Sequence, residues 1–119
     1  MPGNLTVCAD LSVPYQLVEA FRATGAPVRD SRKDGVTERS TEYVYAWVRQ
    51  WRGVLLSLDR RYWNDDRHPL TTSPGILLLD FPPERFDLGQ QAFESAYGMF
   101  EKAYDEHDWR GTKVLASAG

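Results

Sequence analysis

The sequence predicts an α/β sandwich on a mainly parallel five-stranded sheet, and three observations carry that prediction. Two runs, Val54-Leu55-Leu56-Ser57-Leu58 and Ile76-Leu77-Leu78-Leu79, are apolar at successive rather than alternate positions save for Ser57, as strands covered on both faces are. Helical segments separate most of the strand-like runs, giving the order β-α-β-α-β-β-α-β. The 119 residues suit a single domain, 1–119, able to bury a core without disulfides or metals.

Each element has its own signal. Leu5-Thr6-Val7-Cys8-Ala9, bounded by Gly3-Asn4 and Asp10, reads as a buried strand. Ser12 is placed to cap a helix whose first turn holds Pro14. Leu17, Val18, Ala20, Phe21 and Ala23 form its apolar face, and Gly25 ends it. Ala26-Pro27-Val28-Arg29 is a weak second strand, followed by the polar loop DSRKDGVT, residues 30–37. A second helix starts between Glu38 and Thr41, and Val44, Trp47, Val48 and Trp51 fall at i, i+3, i+4, i+7, which predicts one buried face. Gly53 opens the third strand and Pro74-Gly75 the fourth. A long helix runs from about residue 84 or 88 to about 107, carrying Phe93, Ala96, Tyr97, Phe100 and Tyr104. Ala92 and Met99 widen its apolar surface, which fits either a homodimer or cognate-partner contact or close cover by its own domain. Lys113-Val114-Leu115-Ala116 is the last strand.

Composition narrows the function classes. A net charge of -3 does not advertise nucleic acid through the whole-molecule field. The distribution is uneven: Arg22, Arg29, Arg32, Lys33, Arg39, Arg49, Arg52, Arg60, Arg61 and Arg67 precede residue 70, and Asp80 to Asp108 is acid-rich. A phosphate-binding arginine face and an ordinary mixed-charge surface both fit. The single cysteine, Cys8, lies in an apolar run and reads as a small core residue; a reducing, cytoplasmic setting fits it. The N-terminus lacks the features of a signal peptide, and no apolar run approaches the roughly 20 residues of a membrane span. His68 and His107 have no partner at metal-ligand spacing, and there is neither a nucleophile elbow nor a Gly-rich phosphate loop.

Acids mark the strand ends. Asp10 and Asp59 each follow a strand, and Asp80 follows a third. In parallel sheets ligands bind beyond the carboxyl ends of the strands, near the switch in strand order. Carboxylates gathered there repel one another unless a hard cation such as Mg²⁺ or Mn²⁺ joins them, and such an ion activates water against a phosphodiester. The plainer reading gives each aspartate the start of a turn or a helix cap.

Asp10-Leu11-Ser12-Val13-Pro14, Val54-Leu55-Leu56-Ser57-Leu58-Asp59-Arg60-Arg61-Tyr62-Trp63 and Pro74-Gly75-Ile76-Leu77-Leu78 together resemble the small PIN-like domain family, whose segments read D-E-N-L-P, V-L-L-T-x-D-x-D-F and an apolar strand starting P-G. The resemblance implies a three-layer Rossmann-like sandwich, expected here in the strand order 2-1-3-4-5, and a cytoplasmic Mg²⁺- or Mn²⁺-dependent endoribonuclease, of the kind found as the toxin of a toxin–antitoxin pair with a cognate antitoxin as partner. Carried over, Asp10 and Asp59 are the catalytic and metal-binding acids; the acid of the second helix falls on Thr41, leaving Glu42 beside it and Glu38 one turn earlier as candidate ligands, and Asp65 or Asp66 in the loop after the third strand as a replacement ligand. Arg60, Arg61, Trp63 and Arg67 are the candidate RNA contacts, and Tyr62 is expected to pack beneath the site. The chain departs from the pattern at Leu11 and Ser12, and above all at Arg61, which stands where the family has its second strand-end acid. An arginine there can supply the charge a metal would bring. The alternative is therefore a catalytically weakened PIN-like domain acting as an RNA- or protein-binding module.

Overall fold

A computed structural model describes residues 6–36, 41–63, 74–82, 84–102 and 113–117, leaving aside the side chains of 41, 63 and 100–102. Glu38, Asp65, Asp66 and Arg67 lie outside the described residues, and so does the side chain of Trp63. The elements follow the expected order: β1 Val7–Ala9, α1 Tyr15–Ala23, β2 Val28–Asp30, α2 Thr41–Gln50, β3 Val54–Ser57, a 3₁₀ turn at Arg60–Trp63, β4 Gly75–Asp80, α3 Phe86–Lys102 and β5 Lys113–Ser117. The five strands pair in the order β2-β1-β3-β4-β5, as expected, and every pairing is parallel. Among the described residues no helix is long and apolar enough to cross a membrane.

The continuous apolar strands have a simple cause in the layers around them. On one face, Leu17, Val18 and Phe21 of α1 and Ala92, Phe93 and Ala96 of α3 cover Val7, Ala9, Val28, Val54, Leu56, Leu77 and Leu79. Phe21 and Phe93 stack with ring centroids 4.0 Å apart, joining the two helices. On the other face, Val44, Tyr45, Trp47 and Val48 of α2, together with Tyr62, cover Cys8, Leu55, Ile76 and Leu78. Successive strand residues point to opposite faces, so β3 up to Leu56 and β4 up to Leu79 are apolar on both, with polar side chains only at their last residues, Ser57 and Asp80. Burial pushes the Cys8 thiol up to about 12, which makes it an inert core group as the sequence suggested.

Helices α1 and α3 share a face, yet their connections run in opposite directions, β1 to β2 toward one edge and β4 to β5 toward the other. The two crossovers therefore have opposite hands, and one of them is of the left-handed kind rare in parallel sheets.

Two local expectations are corrected. Ser12 does not cap α1; Pro14 stands at that position and no side chain caps the helix, because the Ser12 hydroxyl is turned back toward Asp10. Trp51 does not share the buried face of α2. The helix ends at Gln50, Arg52 turns with a φ of 50°, and Trp51 is left 38% exposed with the Arg29 guanidinium 3.6 Å from its ring centroid.

The loop after β2 is held by charge. Arg29 donates to Asp34 from Nε at 2.7 Å and from Nη2 at 2.8 Å, and the buried Trp47 indole donates to the same carboxylate at 2.9 Å. The Arg29 contact, then the Trp47 N–H, holds the Asp34 carboxyl below its usual range. A depressed carboxyl adds stability above its unfolded value, about 3.9, and loses it as the pH falls through the folded value. Asp34→Asn should therefore destabilise the protein at neutral pH, and its deficit should shrink by about pH 3. Urea unfolding of both proteins at the two pH values checks this.

Candidate functional site

The carboxyl edge of the sheet is where the sequence placed a site. β1 and β3 are neighbours, with Ala9 opposite Leu56, so the chain emerging from them brings Asp10 and Ser57 together. Asp10 has no exposed surface. Its Oδ1 accepts the Ser12 amide at 3.0 Å and, closely, the Ser12 hydroxyl. Its Oδ2 accepts the Ser57 hydroxyl at 2.6 Å. Each serine has one proton and gives it to Asp10, so the 3.1 Å approach of the two hydroxyls carries no hydrogen of its own. Each oxygen instead accepts a backbone N–H: Ser12 that of Leu58 at 2.8 Å, and Ser57 that of Asp59 at 3.0 Å. Three donors on one carboxylate make a closed network that ties the end of β1 to the turn after β3.

Asp59 is held by the arginine two residues on. Its carboxylate accepts the Arg61 amide at 3.0 Å, and the Arg61 guanidinium grips it through Nε at 3.0 Å and Nη2 at 2.6 Å. The Arg61 side chain is 75% exposed and that of Asp59 20% exposed. The arginine that replaces the expected acid thus lies directly on the remaining one. Tyr62 is buried against Leu55 and its neighbours, as expected of it.

One spacing recurs along this edge. Asp10 accepts the amide of Ser12, Asp30 that of Arg32, Ser57 that of Asp59, and Asp59 that of Arg61, all at 3.0 Å. A short polar side chain accepting the N–H two residues on is the local bond that starts a turn. The strands stop on acids because each strand end frees an amide, and the acid takes it. Asp30 repeats the Asp59 arrangement: Arg32 adds its guanidinium to the same oxygen at 3.1 Å, then reaches the carbonyls of Leu11 at 3.0 Å and Val13 at 2.8 Å. The second Asp30 oxygen and the Ser31 hydroxyl are buried without a hydrogen-bond partner. Ser12, Ser57, Asp30 and Arg32 were missed as edge residues in the sequence, although the i, i+2 spacing of polar residues at each strand end was there to be read.

The other candidates are placed less centrally. Glu42 is exposed in the first turn of α2. Arg60 meets Asp80 at 3.4 Å, both well exposed. Among the described residues no three Asp, Glu, His or Cys side chains gather as a metal would need. Five described arginines of the first half are also engaged: Arg22 with Glu19, Arg29 with Asp34, Arg32 with Asp30, Arg60 with Asp80 and Arg61 with Asp59.

On the α1 and α3 side of the same edge lies a cleft of about 350 Å³, lined by Pro14, Leu58, Leu79, Phe81 and Phe86, with Ser12, Arg60 and Asp80 as its polar groups. No protein-family model, no curated protein and no solved structure matches the chain.

Proposed function

We propose that this chain is a PIN-like domain that holds RNA without hydrolysing it. The observation that carries the reading is the state of the two acids. Asp10 takes three protein donors and Asp59 takes the Arg61 fork, so each carboxylate already has what a divalent cation would give it. Hydrolysis by Mg²⁺- or Mn²⁺-activated water would require both acids to release those donors to the ion. The acid expected at residue 61 is the one the chain lacks.

RNA is favoured over a protein partner by the shape of the edge. It offers a concave, partly aromatic cleft beside Arg60, whereas the exposed large apolar residues elsewhere, such as Tyr43, Trp51, Met99 and Leu115, are spread over separate elements. Because Arg22, Arg29, Arg32, Arg60 and Arg61 are each paired with an acid, contact with RNA should be local rather than a long track along phosphates. The affinity for single-stranded RNA should then fall only shallowly with salt, since few counterions are released.

The test joins binding, cleavage and melting. Expected are RNA retention, intact RNA in millimolar Mn²⁺, and an unchanged melting temperature with the metal. Mn²⁺-dependent cleavage that disappears in Asp59→Asn sinks the reading. Arg61→Asp sharpens it: without metal the variant should lose up to about 1 kcal/mol, because the pair it breaks is exposed. With Mn²⁺ it should gain stability by mass action, having one more ligand where the guanidinium was. Equal metal responses in wild type and Arg61→Asp would show that Arg61 is not what keeps a cation out.

A further inference from the structure

We infer that the cleft on the α1 and α3 side of the carboxyl edge binds one unpaired nucleotide, its base against Phe81 and Phe86 and its phosphate on Arg60. This deepens the binding reading and rests on it. Asp10 and Asp59 do not line the cleft, which meets the acid network at Ser12. It opens beyond the ends of β3 and β4 and beside the switch in strand order between β1 and β3, where open parallel sheets take their ligands. Its volume of about 350 Å³ falls in the size range of small-ligand sites.

The lining chooses the ligand class. Five apolar residues make the walls, two of them phenylalanines, which suits a flat ring. Phe86, the first residue of α3, leaves 37% of its surface open at the cleft. Phe81 is braced from behind: its ring tip sits where a Cβ on Gly89 would stand, 2.8 Å away, so only glycine at that point of α3 lets the ring lie back and leave the cleft open. The polar side of the cleft carries one cation and one anion. Arg60 and Asp80 are 61% and 51% exposed and only 3.4 Å apart at their nearest atoms, a pair weak enough for both members to turn to a ligand. Arginine matches a phosphate by its fork, and a carboxylate accepts the N–H groups of a base. A ring, an anion and N–H donors in one small molecule describe a nucleotide, whereas an apolar side chain would use the walls alone.

The probes are adenosine monophosphate, guanosine monophosphate, adenosine and inorganic phosphate, titrated into the whole chain and followed by backbone amide shifts. Both nucleotides should move the amides of Leu79, Asp80, Phe81 and Phe86, and adenosine and phosphate should bind at least about tenfold more weakly. Phe86→Ala and Arg60→Ala, both at exposed positions, should each weaken nucleotide binding by about tenfold while leaving the fold intact. Gly89→Ala, which pushes Phe81 into the cleft, should weaken it without touching a polar group. No shift with either nucleotide overturns the assignment. So does adenosine binding as tightly as its monophosphate, which would mark a plain apolar groove. RNA retention that survives Phe86→Ala removes the cleft and leaves the binding reading standing. Metal-dependent RNA cleavage removes the binding reading, while the nucleotide titration still decides the cleft.

Discussion

Asp10→Ala is expected to lower the unfolding free energy by about 3 kcal/mol, a large effect for removing one acid at the edge of a sheet. The carboxylate is fully buried and holds the Ser12 amide and the Ser12 and Ser57 hydroxyls. When it goes, the two hydroxyls, 3.1 Å apart, can bond each other and save one donor. The other hydroxyl and the half-buried Ser12 amide lose their acceptor, at about 1–3 kcal/mol each. Relief from burying a charge offsets part of this. Asp10→Asn should cost less, because the carboxamide oxygen still accepts and its NH₂ can donate to a serine oxygen. The sign separates the two functional readings. In a site kept for a cation, acids repel one another without the metal, and removing one stabilises the metal-free protein. Urea unfolding without metal decides it: a gain in stability from Asp10→Ala would return Asp10 to the role of metal ligand.

The fold was legible because burial writes itself into composition. Val54 to Leu58, apart from Ser57, and Ile76 to Leu79 could be apolar at successive positions only between two helical layers, while the order β2-β1-β3-β4-β5 was expected from the family resemblance and not from periodicity. Ends of elements were harder. Ser12 matches a helix cap in type and position, yet the nearest strong acceptor is a buried carboxylate two residues back, and charge wins over the cap. Trp51 keeps the helical spacing of Trp47, but the chain has already turned toward Gly53 by then. The crossovers of opposite hand leave no mark on the sequence, since handedness depends on which face a helix lands on. The acids were found where they stand, but their partners were not. A periodicity argument sees what is buried and does not see which amides a strand end leaves open, and that need is what Asp10, Asp30 and Asp59 meet.

Gly53→Ala should be the most damaging glycine substitution among those described, costing about 3 kcal/mol or more. An ideal Cβ at this residue would stand 2.4 Å from the Thr6 carbonyl oxygen and 3.1 Å from its carbon. Both atoms are backbone, so no side chain can swing aside. The Thr6 oxygen is also committed, accepting the Val54 amide at 3.0 Å as β3 joins β1. To admit a methyl group, β1 and β3 must part at this point, or α2 must shift where the Gly53 amide bonds Val48 at 3.1 Å. The damage should travel along the strand to the carboxyl edge. Val54 is paired with Val7, and three residues later on β3 stands Ser57, whose hydroxyl joins Asp10 to the Asp59 amide. Hydrogen exchange at Asp59 should therefore accelerate together with that at Val54, although Val54 opens β3 and Asp59 lies two residues past its end. Gly98→Ala is the control: it sits in α3 with nothing within 4 Å of an added Cβ, and should stabilise the protein by about 0.5–1 kcal/mol through helix propensity. If Gly53→Ala is as mild as Gly98→Ala, the first rung between β1 and β3 is not the anchor that sets Ser57 beneath Asp10.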